Sequence, residues 1–256
     1  EWAEAISGVT AAQIEEFAAL LAAKKKHFIR IGYGMIRQRN GAHNVHAALS
    51  VAAVTGAWQY EGGGAFHNNG GIYRWDRTLI EGWDLVDPKV RYLDQSRIGD
   101  ILMGNPDDLR GGPPVTALFI QNTNPMMIAP ELAKVHAGFA REDLFTCVHE
   151  QFMTDTAKMA DIVLPATMFV EHDDVYQGGG HQHIILGPKI IEPPPGPRSN
   201  SEVVNALAKR LGLEQPSFSM SAREIVDATL KASNRGSWDE LMQSKWIDCQ
   251  IPFAQA

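Results

Sequence analysis

The sequence predicts an α/β fold, in which an open, mostly parallel sheet carries helices on both faces and one long irregular loop interrupts the order. Short apolar, β-branched stretches alternate with helical stretches in the second half of the chain, which is typical of strand–helix–strand units. Polar or glycine-rich loops follow several of the apolar stretches. The chain has 256 residues, 45% of them hydrophobic, which is enough to bury a sizeable core. We therefore expect residues 1–256 to form one α/β domain.

Three elements are predicted in the N-terminal part of the chain. Thr10 and Gln13 have the spacing of a capping box, and apolar residues follow at helical intervals as far as the lysines at 24–26. Residues 27–31 form a short apolar stretch that predicts a buried strand. Residues 42–54 are apolar and rich in alanine, so they predict a second helix, which a glycine closes.

Residues 62–114 show neither a helical nor a strand period. They contain a run of three glycines, the string Asn68-Asn69-Gly70-Gly71 and scattered prolines and aromatic residues. We predict an irregular loop excursion with one short helix near 94–103. Loops of this length are uncommon in compact domains and often serve a function.

Regular elements are predicted again from residue 115 onward, where apolar strands alternate with helices. The predicted strands lie at 115–120, 144–148 and 161–164. The predicted helices lie at 130–140, 154–160, 199–211 and 221–232. Between the second and third of these helices lie an extended, glycine-broken segment at 171–191 and a proline-rich connector at 193–197.

Polar loops directly follow three of the predicted strands, at residues 32–37, at 122–124, and at His149 with Glu150. Right-handed crossovers bring the carboxyl ends of parallel strands to one edge, where open sheets bind ligands. We therefore expect all three loops to line one edge. Short amides and a carboxylate there suit hydrogen bonds to a nucleotide, and a carboxylate can accept from the paired N–H groups of guanine. Alternatively, these residues only form turns and cap helices.

Composition and motifs argue against several other functions. A net charge of −7 disfavours duplex nucleic acid as a partner, and no apolar run approaches the ~20 residues of a membrane span. Two cysteines cannot supply a disulfide framework, a four-cysteine zinc site or an iron–sulfur cluster. Gly32-Tyr33-Gly34 is not a standard dinucleotide fingerprint, because Arg37 occupies the third glycine position. The nucleophile elbow of serine hydrolases is absent.

The remaining charged and histidine residues leave two interpretations open. Arg37 and Arg39 either face a phosphate group or stand on the surface of a turn. The histidine pairs at 43 and 46 and at 181 and 183 match no metal-binding spacing, so we expect these side chains to lie on the polar surface or to form hydrogen bonds to a ligand. No metal ligand and no catalytic residue is assigned.

Several strings in the chain together resemble the dimethyl sulfoxide reductase family of molybdopterin oxidoreductases. The most specific is TDTAKMADIVLP at 154–165, followed by Glu171, which is similar to the T-x-T-A-x-x-A-D-hydrophobic-hydrophobic-L-P signature of that family. Three further stretches resemble the family in the right order: the glycine-rich run from Gly32 to Gly64, the loop Asn122-Thr123-Asn124-Pro125, and Ser199-Asn200-Ser201-Glu202 at the start of a helix.

The resemblance implies a Rossmann-like central segment of a larger oxidoreductase. Members hold molybdenum through the dithiolenes of two molybdopterin guanine dinucleotides and transfer an oxygen atom or electrons at the metal. Many carry an N-terminal iron–sulfur cluster, which would precede Glu1. The expected role of this chain is to hold a guanosine moiety, with the remaining domains of the longer chain and an electron-transfer subunit as partners. The alternatives are a non-catalytic scaffold homologue in an electron-transfer complex and a free-standing nucleotide- or metal-dependent enzyme.

The resemblance also implies cofactor-binding roles for eight residues at positions that match the family motifs. Two lie in the glycine-rich stretch near the pterin, two in the loop near the nucleotide, two form a polar–acidic pair at the guanosine, and two match later positions. They are Tyr33, Arg37, Asn122, Asn124, His149, Glu150, His172 and Asn200. The substrate is not specified by the sequence, and a cytoplasmic or a periplasmic location is equally compatible with it.

Overall fold

The computed structural model describes residues 1–252 and divides them into two compact units. Unit 1 comprises residues 1–74, 177–183 and the segment from Asp248 onward, and unit 2 comprises residues 75–176 and 184–247. Each unit has its own sheets and its own buried residues. The assignment of residues 1–256 to one α/β domain stays a prediction.

Unit 1 contains a parallel strand pair covered by an alanine-rich helix. Its helices are α1 (Trp2–Ser7), α2 (Ala11–Ala23) and α3 (Gly41–Val54), and its strands are β1 (Phe28–Arg30) and β2 (Gly64–Phe66). Ile29 pairs with Ala65 in the parallel register. Ala52 of α3 and Ala65 of β2 are fully buried together, because small side chains let the helix approach the strands closely.

Two sequence predictions in unit 1 have different outcomes. The capping box is confirmed, because Thr10 accepts a hydrogen bond from the Gln13 backbone N–H and the Gln13 side chain accepts one from the Thr10 backbone. The irregular excursion at residues 62–114 stays a prediction, although the strand β2 lies inside that range. This strand was not predicted because it begins within a run of three glycines, which is typical of a loop. Gly64 has φ +109°, and a Cβ there would lie 2.6 Å from the Trp58 ring, so only glycine fits where the strand begins.

Unit 2 carries most of the regular structure. Its helices are α4 (Thr78–Glu81), α5 (Ile98–Leu102), α6 (Pro125–Ile128), α7 (Leu132–Phe139), α8 (Asp155–Lys158), α9 (Asn200–Leu211), α10 (Ala222–Ala232) and α11 (Trp238–Ser244). The strands that follow β2 in the chain are β3 (Ala117–Gln121), β4 (Phe145–Glu150), β5 (Ile162–Pro165), β6 (Asp174–Tyr176), β7 (His183–Gly187) and β8 (Trp246–Asp248).

The strands β3, β4 and β5 form a parallel sheet in that order, and helices cover one of its faces. Ile120 and Val148 point to the covered face, where they pack with buried residues of α5 to α8 such as Val135 and Ala157. The α/β class and the parallel pairing predicted from the sequence are confirmed. The strands of the described residues form three separate sheets rather than one, since β1 pairs with β2 and β6 pairs antiparallel with β7.

The C-terminal helices follow the predicted bounds closely. Ser199 caps α9 and Ser221 caps α10, each through a complete capping box with a glutamate three residues later. α11 also begins with a complete capping box, formed by Ser237 and Glu240. The sequence analysis did not predict this helix, which has only seven residues. No helix of the described residues combines the length and the apolarity that a membrane span requires.

An ion-pair network joins α5 to α7 behind the parallel sheet. The Asp100 carboxylate is 8% exposed, with Lys134 Nζ 2.7 Å from Oδ1 and an Arg97 guanidinium nitrogen 2.7 Å from Oδ2. The Lys134 hydrogen bond above all, together with the charge of Arg97, holds the pKa of Asp100 below its usual value of 3.8. The ion pair between Asp100 and Lys134 therefore links α5 to α7, and protonation of Asp100 in acid would weaken this link.

We expect Asp100 to stabilise unit 2 at neutral pH and to lose that effect in acid. Because its pKa is lower in the folded chain than in the unfolded one, the contribution is present above 3.8 and disappears as the pH falls through the folded value. The unfolding free energy of the unaltered chain should therefore fall as the pH is lowered, and Asp100→Asn should make that fall smaller. Urea unfolding between about pH 3 and 7 measures the difference. Asp107→Asn, at an exposed position, is the control, and equal curves for both variants would contradict the prediction.

Candidate functional site

The carboxyl edge of the β3–β4–β5 sheet gathers several of the predicted site residues in unit 2. The register pairs Gln121 with His149, and Glu150 with Pro165. Asn122 therefore follows β3 at the same level at which Glu150 ends β4, on strands about 5 Å apart. Asn122 adopts φ +57°, a left-handed conformation that asparagine tolerates, and this turns the chain sharply at the sheet edge.

Of the predicted pair His149 and Glu150, it is Glu150 whose side chain can contact a ligand. Its Oε1 accepts a hydrogen bond of 2.7 Å from the Gln151 backbone N–H, and its other oxygen has no hydrogen-bond partner among the described residues. The side chain is half-buried at the edge of the sheet. A carboxylate with one oxygen held and one free is a suitable acceptor for N–H donors.

Both ring nitrogens of His149 form hydrogen bonds within the protein. It is 1% exposed, its Nε2 lies 3.0 Å from the Arg198 carbonyl oxygen and its Nδ1 lies 2.9 Å from the Gln121 amide nitrogen. Because a carbonyl only accepts, Nε2 carries the hydrogen and Nδ1 accepts from Gln121. The imidazole thus fastens the segment before α9 to the sheet, and no ring nitrogen is left for a ligand in this arrangement.

The specific TDTA string forms the support behind this edge. Thr156 is completely buried, and its hydroxyl lies 2.7 Å from Asn124 Oδ1 while accepting from the Met126 backbone N–H at 3.2 Å. Thr154 caps α8 through the Ala157 N–H at 3.1 Å. The Asn124 amide NH₂ group makes no hydrogen bond within the described residues and is the part of this side chain that can bind a ligand.

The aspartate of the same motif stabilises the strand pairing beneath the site. Asp161 Oδ2 accepts from the Thr146 backbone N–H at 2.7 Å, and the Asp161 N–H donates to the Thr146 carbonyl at 2.9 Å. This double contact aligns β4 and β5 where β5 begins. The polar residues Thr154, Thr156 and Asp161 of the motif thus act on the position of the edge rather than on a ligand.

Two predicted residues lie further along unit 2. His172 is half-buried, with Nδ1 2.8 Å from the Thr167 hydroxyl and Nε2 3.9 Å from Asp174. Burial raises the pKa of Asp174, opposed by a hydrogen bond from the Val175 N–H and by the nearby His172. Asn200 is the first residue of α9 and is exposed, since Ser199 rather than Asn200 makes the capping contacts.

Tyr33 and Arg37 belong to unit 1 and follow β1, which pairs with β2 in another sheet. The prediction that one sheet edge carries all three polar loops is therefore wrong. The error arose because the sequence analysis did not recognise β2, the strand with which β1 pairs. Within unit 1, the Arg37 guanidinium lies 5.9 Å from the centre of the Tyr33 ring, and the Tyr33 hydroxyl accepts from Asn68 at 2.7 Å.

Sequence reasoning missed His67, which stands immediately after β2. Its ring meets Tyr33 edge-on at 4.7 Å between centroids, and its Nε2 is buried without a hydrogen-bond partner in the part of the chain that the structure describes. Such an orphaned polar atom is costly unless a bound group pairs with it. The alternation Gly-Ala-Phe-His after the glycines was the available signal, and it is too short to stand out.

A glycine–histidine loop completes the polar cluster of unit 1. The buried Tyr73 hydroxyl lies 2.7 Å from the Gly178 carbonyl oxygen and 2.6 Å from that of His181, to which Asn69 also donates at 2.7 Å. The rings of His181 and His183 lie 5.9 Å apart. In the described residues, no group of three or more His, Cys, Asp or Glu side chains is arranged to hold a metal ion.

Both polar clusters can therefore bind and orient a ligand, and neither contains an assembled nucleophile–base pair among the residues that the structure describes. A family model described as molybdopterin oxidoreductase matches residues 3–210 of the chain. A probable oxidoreductase, YoaE of Bacillus subtilis, is 36% identical over 226 residues, which cover 88% of this chain and 32% of that protein.

Two further relatives have named activities. Trimethylamine-N-oxide reductase of Haemophilus influenzae is 29% identical over 240 residues, covering 84% of this chain and 29% of its own length. Biotin sulfoxide reductase of Cereibacter sphaeroides is 27% identical over 224 residues, which cover 83% of this chain and 30% of that protein. This chain thus spans about a third of the length of the curated relatives it matches.

A solved structure shares the fold. Acetylene hydratase from Pelobacter acetylenicus superposes with a TM-score of 0.52 at 20% sequence identity, over 69% of this chain and 24% of that one.

Proposed function

This chain belongs to the molybdopterin oxidoreductase family, and from that premise we propose that it is the part of a larger molybdenum enzyme that holds a guanosine moiety of molybdopterin guanine dinucleotide. The observation that carries the proposal is the pair of loops at the carboxyl edge of β3 and β4, which brings Asn122, Asn124 and Glu150 to one side of one sheet. Open parallel sheets bind their ligands at this edge.

The free groups at this edge match the donors and acceptors of guanine. The unpaired oxygen of Glu150 can accept from the N1–H and N2–H groups, which adenine does not offer in that arrangement. The NH₂ group of Asn124 can donate to a purine ring nitrogen or carbonyl oxygen. Thr156 holds the opposite side of the Asn124 amide, so the NH₂ group is oriented before any ligand arrives.

The cluster in unit 1 fits a polar and partly anionic group. His67 supplies an orphaned buried nitrogen, and Arg37 supplies an exposed guanidinium that lies 5.9 Å from the centre of the Tyr33 ring. We assign these side chains to the binding of a pterin group, independently of the guanosine site in unit 2. When bound, the cofactor supplies oxygen-atom or electron transfer at molybdenum. The residues of this chain bind and orient the cofactor.

The nucleotide that the full-length polypeptide carries tests the proposal. Purified protein would be acid-hydrolysed, the released nucleotide identified by mass spectrometry, and molybdenum measured in the same sample. We expect GMP together with molybdenum. A polypeptide that carries molybdenum with a different nucleotide or with none would overturn the guanosine role. A polypeptide without molybdenum or nucleotide would indicate a scaffold homologue and would equally overturn it.

A further inference from the structure

Thr167 joins three segments of unit 2 next to the carboxyl edge of the parallel sheet. It lies two residues after β5 and is 5% exposed. Its carbonyl oxygen accepts from Gln151 Nε2 at 2.8 Å, its N–H donates to the Arg198 carbonyl at 3.3 Å, and its hydroxyl oxygen lies 2.8 Å from His172 Nδ1. A buried residue whose polar groups are all paired fixes the segments that it contacts relative to one another. We call Thr167 with these three partners the Thr167 junction.

The Thr167 junction is connected directly to Glu150. Gln151 follows Glu150 in the chain, and its backbone N–H donates to Glu150 Oε1 at 2.7 Å. The N–H of Ala166, the residue before Thr167, donates to the Glu150 carbonyl at 3.1 Å. A displacement of the junction therefore displaces both the main chain and the carboxylate of Glu150.

His172 lies between the junction and a half-buried carboxylate. Its Nε2 is 3.9 Å from Asp174 Oδ2, which is ion-pair distance but too long for a direct hydrogen bond. The side chains of His172 and Asp174 are 25% and 45% exposed. Burial raises the pKa of Asp174, so this carboxylate is incompletely hydrated and gains from a nearby cation. Within the part of the chain that the structure describes, Asp174 is the one carboxylate within 4.0 Å of the His172 ring nitrogens.

Most of the other charged and titratable groups around His172 have partners of their own. The neighbouring segments contribute Glu171, Asp173, Tyr176, Lys189 and Arg198. Glu171 and Asp173 each accept a backbone N–H hydrogen bond at 2.8 Å, and Lys189 pairs with Glu192. The helix α10 packs against β6, and its charged side chains are Arg223, Glu224, Asp227 and Lys231. Two ion pairs and a capping box engage these four side chains. Asp174 is thus the charge that His172 meets directly.

Protonation of His172 reverses its hydrogen bond with Thr167. A neutral imidazole has one donor and one acceptor nitrogen, and a carboxylate opposite Nε2 favours the hydrogen there. In that state Nδ1 accepts from the Thr167 hydroxyl. The imidazolium donates from both nitrogens, so Nδ1 donates to the Thr167 oxygen and Nε2 points its hydrogen toward Asp174. Hydrogen bonds with an ionised partner are roughly twice as strong as neutral ones, so the charged form makes the firmer contact.

We propose that His172, together with Asp174, is a positioning residue for the guanosine site and holds Glu150 more firmly when the imidazole is charged. It acts through Thr167 and Gln151, whereas the family resemblance implies direct contact with the cofactor. The inference rests on the proposed function, since Glu150 is the residue that it positions. Because histidine changes its charge between about pH 5 and 8, the hold on Glu150 changes in the same range.

Hydrogen exchange in the full-length polypeptide tests this role without measuring turnover. Peptides that contain residues 150–152 and 165–168 are followed by mass spectrometry at about pH 6 and about pH 8, with exchange times scaled for the intrinsic pH dependence. In the unaltered polypeptide we expect roughly three to ten times more protection at the lower pH. His172→Gln, which cannot be charged, should show equal protection at both pH values. Asp174→Asn should show a smaller difference than the unaltered polypeptide.

Cofactor retention at the same two pH values connects the junction to the site. Molybdenum and GMP retained by the protein after gel filtration should be lost more slowly at the lower pH, by a similar factor, and His172→Gln should abolish the difference. His46→Gln makes the same chemical change at an exposed position and is the control. It should keep both pH dependences.

The same pH dependence of exchange in His172→Gln and His46→Gln would overturn the inference. Protection that His172→Gln lowers equally at both pH values would indicate a purely structural contact and would also overturn it, as would a pH effect on exchange without one on retention. Exchange needs no bound nucleotide, so a polypeptide that carries molybdenum without GMP would overturn the proposed function, while exchange still decides whether His172 holds the junction. If His172→Gln fails to fold, Asp174→Asn provides the comparison.

Discussion

Replacing Glu150 with glutamine in the full-length polypeptide should release the nucleotide-bearing cofactor roughly 10 to 100 times faster. A hydrogen bond to a charged group contributes about 1.5–3 kcal/mol, and 1.4 kcal/mol corresponds to a factor of ten. Glutamine keeps the size and one acceptor oxygen but loses the charge, and it presents an NH₂ donor where guanine also donates. The measurement is the molybdenum and GMP retained by the protein after increasing times in cofactor-free buffer, separated by gel filtration.

Glu142→Gln is the matched control, since it makes the same chemical change at an exposed position of unit 2. Its retention curve should equal that of the unaltered polypeptide. Because the readout is bound cofactor rather than turnover, a fault elsewhere in the reaction does not affect it. Equal retention by Glu150→Gln and Glu142→Gln would show that Glu150 does not hold the guanosine.

Thr156→Val should be the most destabilising of the small substitutions near the site. Valine has nearly the shape of threonine but removes the hydroxyl that serves both Asn124 Oδ1 and the Met126 N–H in a fully buried position. Asn124 Oδ1 keeps a hydrogen bond from the Thr156 backbone N–H at 3.3 Å, so the Met126 N–H is the group left without a partner. We therefore expect a loss of about 1–3 kcal/mol in the free energy of unfolding. For a chain of this length that lowers the melting temperature by about 2–12 °C.

Two companion variants separate the hydroxyl from other effects. Thr156→Ser keeps the hydroxyl and loses one methyl group, so it should cost only about 1 kcal/mol. Thr116→Val changes the same atoms at an exposed position and should leave the melting temperature nearly unaltered. Calorimetry of the three variants in parallel measures these effects. Equal melting temperatures for Thr156→Val and Thr156→Ser would show that the hydroxyl network carries no stability.

The fold could be predicted where local signals are strong. The strands β3, β4 and β5 were expected at 115–120, 144–148 and 161–164 and lie within two residues of those bounds, because short β-branched runs between turns mark buried strands. The helices α2, α9 and α10 each begin after a capping box, where a side chain and a backbone group a turn apart identify the helix start.

The site could be predicted only in part. Placing Asn122, Asn124 and Glu150 on one sheet edge needed nothing beyond strand order and the handedness of crossovers, and the structure agrees. The motif also led to the family, which the family match supports. The role of His149 could not be foreseen, because its partners Gln121 and Arg198 lie 28 and 49 residues away.

Local patterning was thus sufficient for the α/β class, for the parallel strands and for the polar ends of two of them, since each depends on residues close together in the chain. Long-range contacts decided the rest: the pairing of β1 with β2, the engagement of both His149 nitrogens and the support of Asn124 by Thr156. These depend on which distant groups satisfy buried donors and acceptors, and no short stretch of sequence carries that information.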